Sequence, residues 1–170
     1  MQADELRAMQ APLKERYRED PDAAVVTLRA QAVLGDGVTC SVQTGRALAV
    51  AGLHPATGGD GASLCSGDML LEALAACAGV TMRAVATALG IVVGGQVAAE
   101  GELDFRGTLG VARDAPVGFR AIRLRFALES DADGTSLAKL VELTERYCVV
   151  LQTLAGSPEL RIDWSSDPVS

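Results

Sequence analysis

One apolar segment, residues 69–89, limits what this chain can fold into. Its sequence, MLLEALAACAGVTMRAVATAL, is dominated by Ala and Leu, which favour a helix. Ser66 or Asp68 is placed to cap the N-terminus of this helix, and Gly90 is placed to end it. Because apolar residues occur nearly all round the predicted helix, it has to be buried on most sides. In a chain of only 170 residues, we expect a partner subunit to cover one of its faces.

Alternating segments on both sides of this helix predict strands. Apolar residues at every second position between Val26 and Leu34, followed by a Gly-Asp-Gly turn and a second alternating run, predict a hairpin. A weaker third strand is predicted at residues 47–50. Two strands follow the long helix, and a last alternating run ends at Trp164. An amphipathic helix starting near Thr135 lies between these strands and the last run.

This order, β-β-(β)-α-β-β-α-β, predicts an α+β fold with a mostly antiparallel sheet. We expect a single domain at residues 25–170, preceded by an N-terminal helical arm at residues 1–24. Aromatic residues make up only 4% of the chain, so its core has to be built from Ala, Val and Leu.

The charge balance bears on partners and location. The chain carries 15 Lys and Arg against 22 Asp and Glu, a net charge of -7, which disfavours nucleic acid as a partner. The sequence predicts no membrane partner, because no apolar run is expected to reach the ~20 residues of a spanning helix. The charged N-terminus does not resemble a signal peptide, so we expect a cytoplasmic protein.

Four cysteines are the residues most suited to chemistry. They are widely separated and contain no C-x-x-C pair, so neither structural disulfides nor a zinc site is predicted. Cys77 lies in the middle of the first long helix, and Cys148 lies on the apolar stripe of the second, which runs from Leu137 through Leu151. Both fit the core as small apolar residues. Alternatively they form a redox pair, which requires their Cα atoms to approach within roughly 7 Å.

The residues around these two cysteines resemble the OsmC/Ohr family. In that family, a loop with paired glycines leads to an S-P-x-E-L-L-like helix start and then to a cysteine. Here Gly58-Gly59 precede the helix start SGDMLL, and Cys77 follows it. The sequence ERYCVVLQTL is similar to the second motif of the family, in which Cys precedes Pro or Val. With the element order, the resemblance covers about residues 25–165.

The resemblance implies an intertwined homodimer that reduces organic hydroperoxides by thiol chemistry without a cofactor or metal. Carried over, Cys77 would attack the peroxide and become a sulfenic acid, and Cys148 would condense with it to a disulfide. A dithiol, such as the lipoyl group of a partner protein, would then reduce that disulfide. The chain departs from the family pattern at the helix start, where Ser66 replaces Pro and Asp68 replaces Glu.

The family's arginine after the first strand has no counterpart here. Because a thiolate needs a positive or donor-rich neighbour, Arg46 is the first candidate for that role, with Arg29 next. The walls of the site are expected from Leu70, Leu74, Val80 and residues 149–151, an apolar set that favours bulky alkyl hydroperoxides over hydrogen peroxide.

Other interpretations stay open. A relative without activity would use the same apolar pocket to bind an acyl or lipid-like ligand, and a Cys-dependent hydrolase or transferase is a third class. Cys65 is either a third redox thiol or an incidental loop cysteine. His54, the one histidine in the chain, is interpreted as a structural residue.

Overall fold

The computed structural model describes residues 3–34, 40–42, 52–62 and 64–164. The predicted turn at residues 35–37 and the predicted third strand at residues 47–50 lie outside these ranges. The structure therefore reports on the long helix, most of the sheet and the second half of the chain.

Helices and strands occur in the predicted α+β arrangement. In chain order, the helices and strands are α1 (Ala3–Glu19), β1 (Val25–Leu34), β2 (Cys40–Val42), α2 (Ser66–Leu89), β3 (Gly94–Asp104), α3 (Phe105–Thr108), β4 (Phe119–Glu129), α4 (Gly134–Tyr147) and α5 (Val149–Gly156). Two 3-10 turns, Pro21–Ala24 and Pro55–Thr57, connect them. The helix α1 spans most of the predicted N-terminal arm.

The strands form one antiparallel sheet in the order β2-β1-β3-β4. Along β3, the side chains of Val97, Ala99 and Leu103 are buried, as expected for a strand with one face on a core. The helix α2 packs against β1, β3 and α4. The site described below is therefore carried by a helix that is held between the sheet and the C-terminal helices.

Small side chains line the buried side of α2. Ala75, Ala78, Gly79 and Ala86 are buried there beside larger residues, as the Ala-rich composition predicts. By length and composition alone, α2 could cross a membrane. The expectation that no apolar run is long enough for a spanning helix was therefore wrong. A core helix meets the same criterion, and the packing of α2 against the sheet is that of a core helix.

The N-terminal helix is docked onto the loop that precedes α2. Tyr17 is buried, and its hydroxyl donates a 2.7 Å hydrogen bond to the carbonyl of Ala56. The side-chain amide of Gln10 donates to the carbonyl of Thr57 at 3.2 Å. These bonds fix the 3-10 turn at Pro55–Thr57 from outside.

Three features differ from the sequence predictions. The N-cap of α2 is Cys65, not Ser66 or Asp68, although Gly90 does end the helix, with φ 67°. Residues 160–164 form no strand, and Leu160, Ile162 and Trp164 are 84%, 91% and 85% exposed. Alternation in sequence predicts an extended segment but cannot supply the neighbouring strand that a ladder needs. The third difference, a break in the second long helix, forms part of the candidate site.

Candidate functional site

The structure brings Cys77 and Cys148 together. Cys77 lies half-buried in the middle of α2, and Cys148 is fully buried between α4 and α5. Both are free thiols, and each sulfur is a hydrogen-bond partner of the other. The spatial proximity that a redox pair requires, which sequence spacing could not show, is therefore present.

A break in the second long helix creates this arrangement. The sequence predicted one continuous helix through Leu151, but α4 ends at Tyr147 and Cys148 adopts an extended conformation with φ -71° and ψ 103°. The first N–H groups of a helix have no partner within it. At the start of α5, the N–H groups of Val149 and Val150 donate instead to the sulfur of Cys77.

Hydrogen bonding makes Cys77 the more acidic thiol. Burial by itself raises the pKa of Cys77, but four hydrogen bonds together outweigh it and lower the pKa below its ordinary value. They come from the N–H of Val150, the thiol of Cys148, the hydroxyl of Thr81 and the N–H of Val149. These donors favour the thiolate, as does the positive end of the α5 dipole.

Cys148 is shifted in the opposite direction. Burial is the main cause and raises its pKa to about 11, and the neighbouring Cys77 adds to this rise. The N–H groups of Leu151 and Val150 oppose it without reversing it. The pair therefore consists of one thiol whose lowered pKa favours ionisation and one that keeps its proton at neutral pH.

Thr81 is a site residue that the sequence reasoning missed. It follows Cys77 by four residues on α2, and residues at this spacing lie on the same helix face. That spacing was the signal that could have identified it.

Asp68 is the one other predicted polar site residue whose side chain the structure describes, and it is not brought to the sulfurs. Asp68 precedes Cys77 by nine residues, which is two and a half helical turns and about 13 Å along the axis, on the opposite side of α2. Burial raises the pKa of Asp68, and the nearby His54 opposes that rise. Arg46 lies outside the described residues. Arg29 lies in β1, and its side chain also falls outside the description.

Three of the six predicted wall residues are exposed apolar side chains. Leu70, Val80 and Val149 are 36%, 42% and 70% exposed, whereas Val150 and Leu151 are half-buried against the core. Val80 lies one turn from Cys77, and Leu70 lies two turns away. Leu74 was also predicted in this wall, but it is completely buried and belongs to the core behind α2. The sulfur of Cys77 is therefore set in an apolar surface.

Cys65 is remote from both redox candidates. As the N-cap of α2, it precedes Cys77 by twelve residues, which is about 18 Å along the helix axis. A disulfide needs Cα atoms within roughly 7 Å, so Cys65 cannot pair with Cys77 in the same chain.

The paired glycines of the predicted motif have a structural role. Gly58 has φ 96° and ends the 3-10 turn, a conformation that few other residues adopt. A Cβ added to Gly59 would lie 1.7 Å from the carbonyl oxygen of Leu53, so no side chain fits there. Both glycines shape the loop before α2.

Comparison with models of known protein families identifies the family of this chain. The family model described as "OsmC-like protein" matches residues 59–163, a stretch that includes both Cys77 and Cys148. The chain belongs to the OsmC-like family. No protein with a curated description matches it. Among the described residues, no cluster of three or more His, Cys, Asp or Glu side chains could hold a metal ion.

Two solved structures of OsmC-like proteins share the fold. An OsmC-like hydroperoxide resistance protein from Jannaschia sp. CCS1 is 18% identical with a TM-score of 0.61, and the match covers 86% of this chain and 97% of that one. An OsmC-like protein from Mycoplasma pneumoniae is also 18% identical, with a TM-score of 0.52 and coverage of 78% and 86%. At this identity, the similarity shows the fold alone.

Proposed function

We propose that this OsmC-like protein is a cysteine-based peroxidase that reduces organic hydroperoxides. The observation that carries the proposal is the contact between Cys77 and Cys148, two thiols whose pKa values are shifted in opposite directions. The printed description of the Jannaschia relative, a hydroperoxide resistance protein, supports the same class of reaction.

In the first step, the thiolate of Cys77 attacks the terminal oxygen of the hydroperoxide. The S–O bond forms as the O–O bond breaks, so Cys77 is oxidised to a sulfenic acid and the alkoxide takes up a proton to leave as the alcohol. The donors around Cys77 lower its pKa and so increase the fraction of thiolate. The N–H groups of α5 and the hydroxyl of Thr81 are the donors that favour the thiolate here, whereas the side chains of the arginine candidates, Arg46 and Arg29, lie outside the description.

In the second step, the sulfur of Cys148 attacks the sulfenic acid of Cys77. The S–S bond forms, the S–O bond breaks, and the proton of Cys148 leaves with the hydroxyl as water. The raised pKa of Cys148 keeps this thiol protonated until the sulfenic acid forms beside it. An external dithiol, for which a lipoyl group is our candidate, then reduces the disulfide and is itself oxidised.

The proposal includes a homodimer and a cytoplasmic location. Val80 and Val149 are exposed beside Cys77, and a second copy of the chain would cover this apolar surface. A disulfide that has to be reduced in every cycle suits a reducing compartment. For the homodimer, sedimentation at micromolar concentration should give a mass of twice 17.6 kDa. A folded, soluble monomer would exclude the dimer.

Turnover of cumene hydroperoxide with dihydrolipoamide tests the chemistry. Cys77→Ser should abolish turnover, whereas Cys148→Ser should still reduce one equivalent of peroxide and then stall as the sulfenic acid. After stoichiometric peroxide, the intact wild-type protein should lose two hydrogens, and the disulfide should map to Cys77 and Cys148. Equal residual activity in the two variants would contradict these separate roles.

Substrate preference follows from the apolar surroundings of Cys77. Burying two additional CH₂ groups contributes about 1.6 kcal/mol, so cumene hydroperoxide should exceed hydrogen peroxide in kcat/KM by more than tenfold. A ratio near one would remove the argument for an organic substrate.

The exposed apolar surface also supports a second candidate, a protein that binds an acyl or lipid-like ligand without turnover. The same assay separates the two functions. A binder would show no consumption of peroxide by the wild type and no disulfide between Cys77 and Cys148.

A further inference from the structure

A cavity lies at the N-terminal end of α2. Neither of the two cysteines of the proposed peroxidase site lines it. It has a volume of about 370 Å³, which is within the range of small-molecule sites. Its wall is mostly apolar and includes Leu103, Phe105 and Phe119. Two of the three phenylalanines of the chain therefore face this one cavity. Among the residues that the structure describes, His54 and Cys65 are the two that bring ionisable side chains to the wall.

His54 is held in one orientation at this wall. Its ring stacks on Phe105, with centroids 5.0 Å apart and planes inclined by 18°. Its Nδ1 accepts a 3.0 Å hydrogen bond from the N–H of Ala56, so the proton of the neutral ring is on Nε2. The backbone carbonyl of His54 accepts bonds from the N–H and the hydroxyl of Thr57. His54 is therefore a fixed N–H donor, with the carboxyl group of Asp68 nearby.

Cys65 provides a nucleophile at the same wall. Its thiol is free and half-buried, and its side chain makes no capping hydrogen bond at the start of α2. Since Cys65 is about 18 Å from Cys77 along the helix axis, it is not part of the redox pair. A thiol and an N–H donor at the wall of one aromatic cavity match an apolar molecule with a soft electrophilic carbon and a carbonyl oxygen.

We propose that this cavity binds α,β-unsaturated ketones or aldehydes with an apolar substituent, and that Cys65 adds to them. The carbonyl oxygen accepts the Nε2–H of His54, and the apolar substituent lies against Phe105 and Phe119. The sulfur of Cys65 forms a bond to the β-carbon as the C=C π bond breaks. The electron pair of the π bond moves to the carbonyl oxygen and forms an enolate, which the His54 N–H stabilises. The α-carbon then takes up one proton, which balances the proton that the thiol lost. The product is a saturated thioether, and no oxidant or reductant is consumed.

The test uses 4-phenylbut-3-en-2-one as the probe and iodoacetamide as the comparison reagent, because iodoacetamide alkylates a thiol without forming an enolate. Rates at Cys65 are measured by peptide mapping of the reduced full-length protein and divided by the rates of free N-acetylcysteine. The normalised ratio of the enone rate to the iodoacetamide rate should exceed ten. The reason is that burial of the phenyl ring removes from water more apolar surface than two CH₂ groups have. The saturated ketone 4-phenylbutan-2-one should protect Cys65 from iodoacetamide.

A variant isolates the contribution of His54. His54→Phe keeps an aromatic ring to stack on Phe105 but removes the N–H donor, and it should lower the normalised enone ratio about tenfold. A normalised ratio of one at Cys65 in the wild type, or no protection by the saturated ketone, would overturn the proposal even if the variant fails to fold. Peroxide turnover involves other cysteines, so this result and the peroxidase result can fail independently.

Discussion

Replacing Thr81 by valine tests the origin of the acidity of Cys77. Valine has nearly the same shape as threonine but lacks the hydroxyl that donates to the sulfur of Cys77. Because that hydroxyl lowers the pKa of Cys77, its removal should leave a smaller fraction of thiolate at neutral pH. The change leaves the N–H donors of Val149 and Val150 in place.

The magnitude follows from the number and kind of donors. Thr81 supplies one of the four hydrogen bonds that offset the burial of Cys77. Hydrogen bonds to charged groups contribute about 1.5–3 kcal/mol, and the low end suits a sulfur acceptor beside a half-buried hydroxyl. A loss of about 1.5 kcal/mol corresponds to roughly tenfold slower alkylation at a pH below the pKa of Cys77.

The assay is the pH dependence of alkylation at Cys77, measured by peptide mapping. Thr87→Val is the matched control, since Thr87 is on the same helix but its hydroxyl donates to the carbonyl of Arg83 at 2.8 Å. We expect Thr81→Val to move the alkylation profile to higher pH and Thr87→Val to leave it unchanged. Identical profiles for the two variants would refute the role given to the Thr81 hydroxyl.

Two further predictions concern stability. Gly59→Ala should lower the free energy of unfolding by more than about 2 kcal/mol, because the new Cβ meets the carbonyl of Leu53. In the control, Gly118→Ala, the new Cβ meets nothing within 4 Å, so urea denaturation should change little. The Arg106 side chain holds the pKa of buried Asp104 below its ordinary value, so its carboxylate stabilises the fold above pH ~4 and that contribution is lost as pH falls through the lowered pKa. Asp104→Asn should therefore be less stable than wild type at pH 7, and the difference should shrink under acidic conditions. A difference that persists at pH 2 would assign the effect to packing.

Local patterns in the sequence were sufficient for much of the fold. The Ala-Leu run predicted α2, and Gly90 ends it as expected. Alternation predicted β1, β3 and β4, and each of these strands pairs with a neighbour that is close in sequence or across one helix. Alternation also predicted a strand ending at Trp164, which the single chain does not form, because the pattern carries no information on a pairing partner.

The candidate site was predictable only in part. The resemblance to the family identified Cys77 and Cys148 before their contact was known, whereas the break at Cys148 could not be read from the apolar stripe, which continues through it. The donors to Cys77 include backbone N–H groups, and these leave no trace in residue types. The resemblance also implies a role for Asp68, at the position of the family's Glu, but helical geometry places it on the other side of α2 from Cys77.

The small side chains on the buried face of α2 also affect how the stability of this protein varies with temperature. The heat-capacity change of unfolding scales with the apolar surface that becomes hydrated, and Ala75, Ala78 and Ala86 each expose little of it. Calorimetry should therefore give a heat-capacity increment per residue below the usual 12–15 cal/mol/K. The free energy of unfolding would then change slowly on either side of its maximum. A core of this kind resists cold as well as moderate heat, even if its maximum stability is modest.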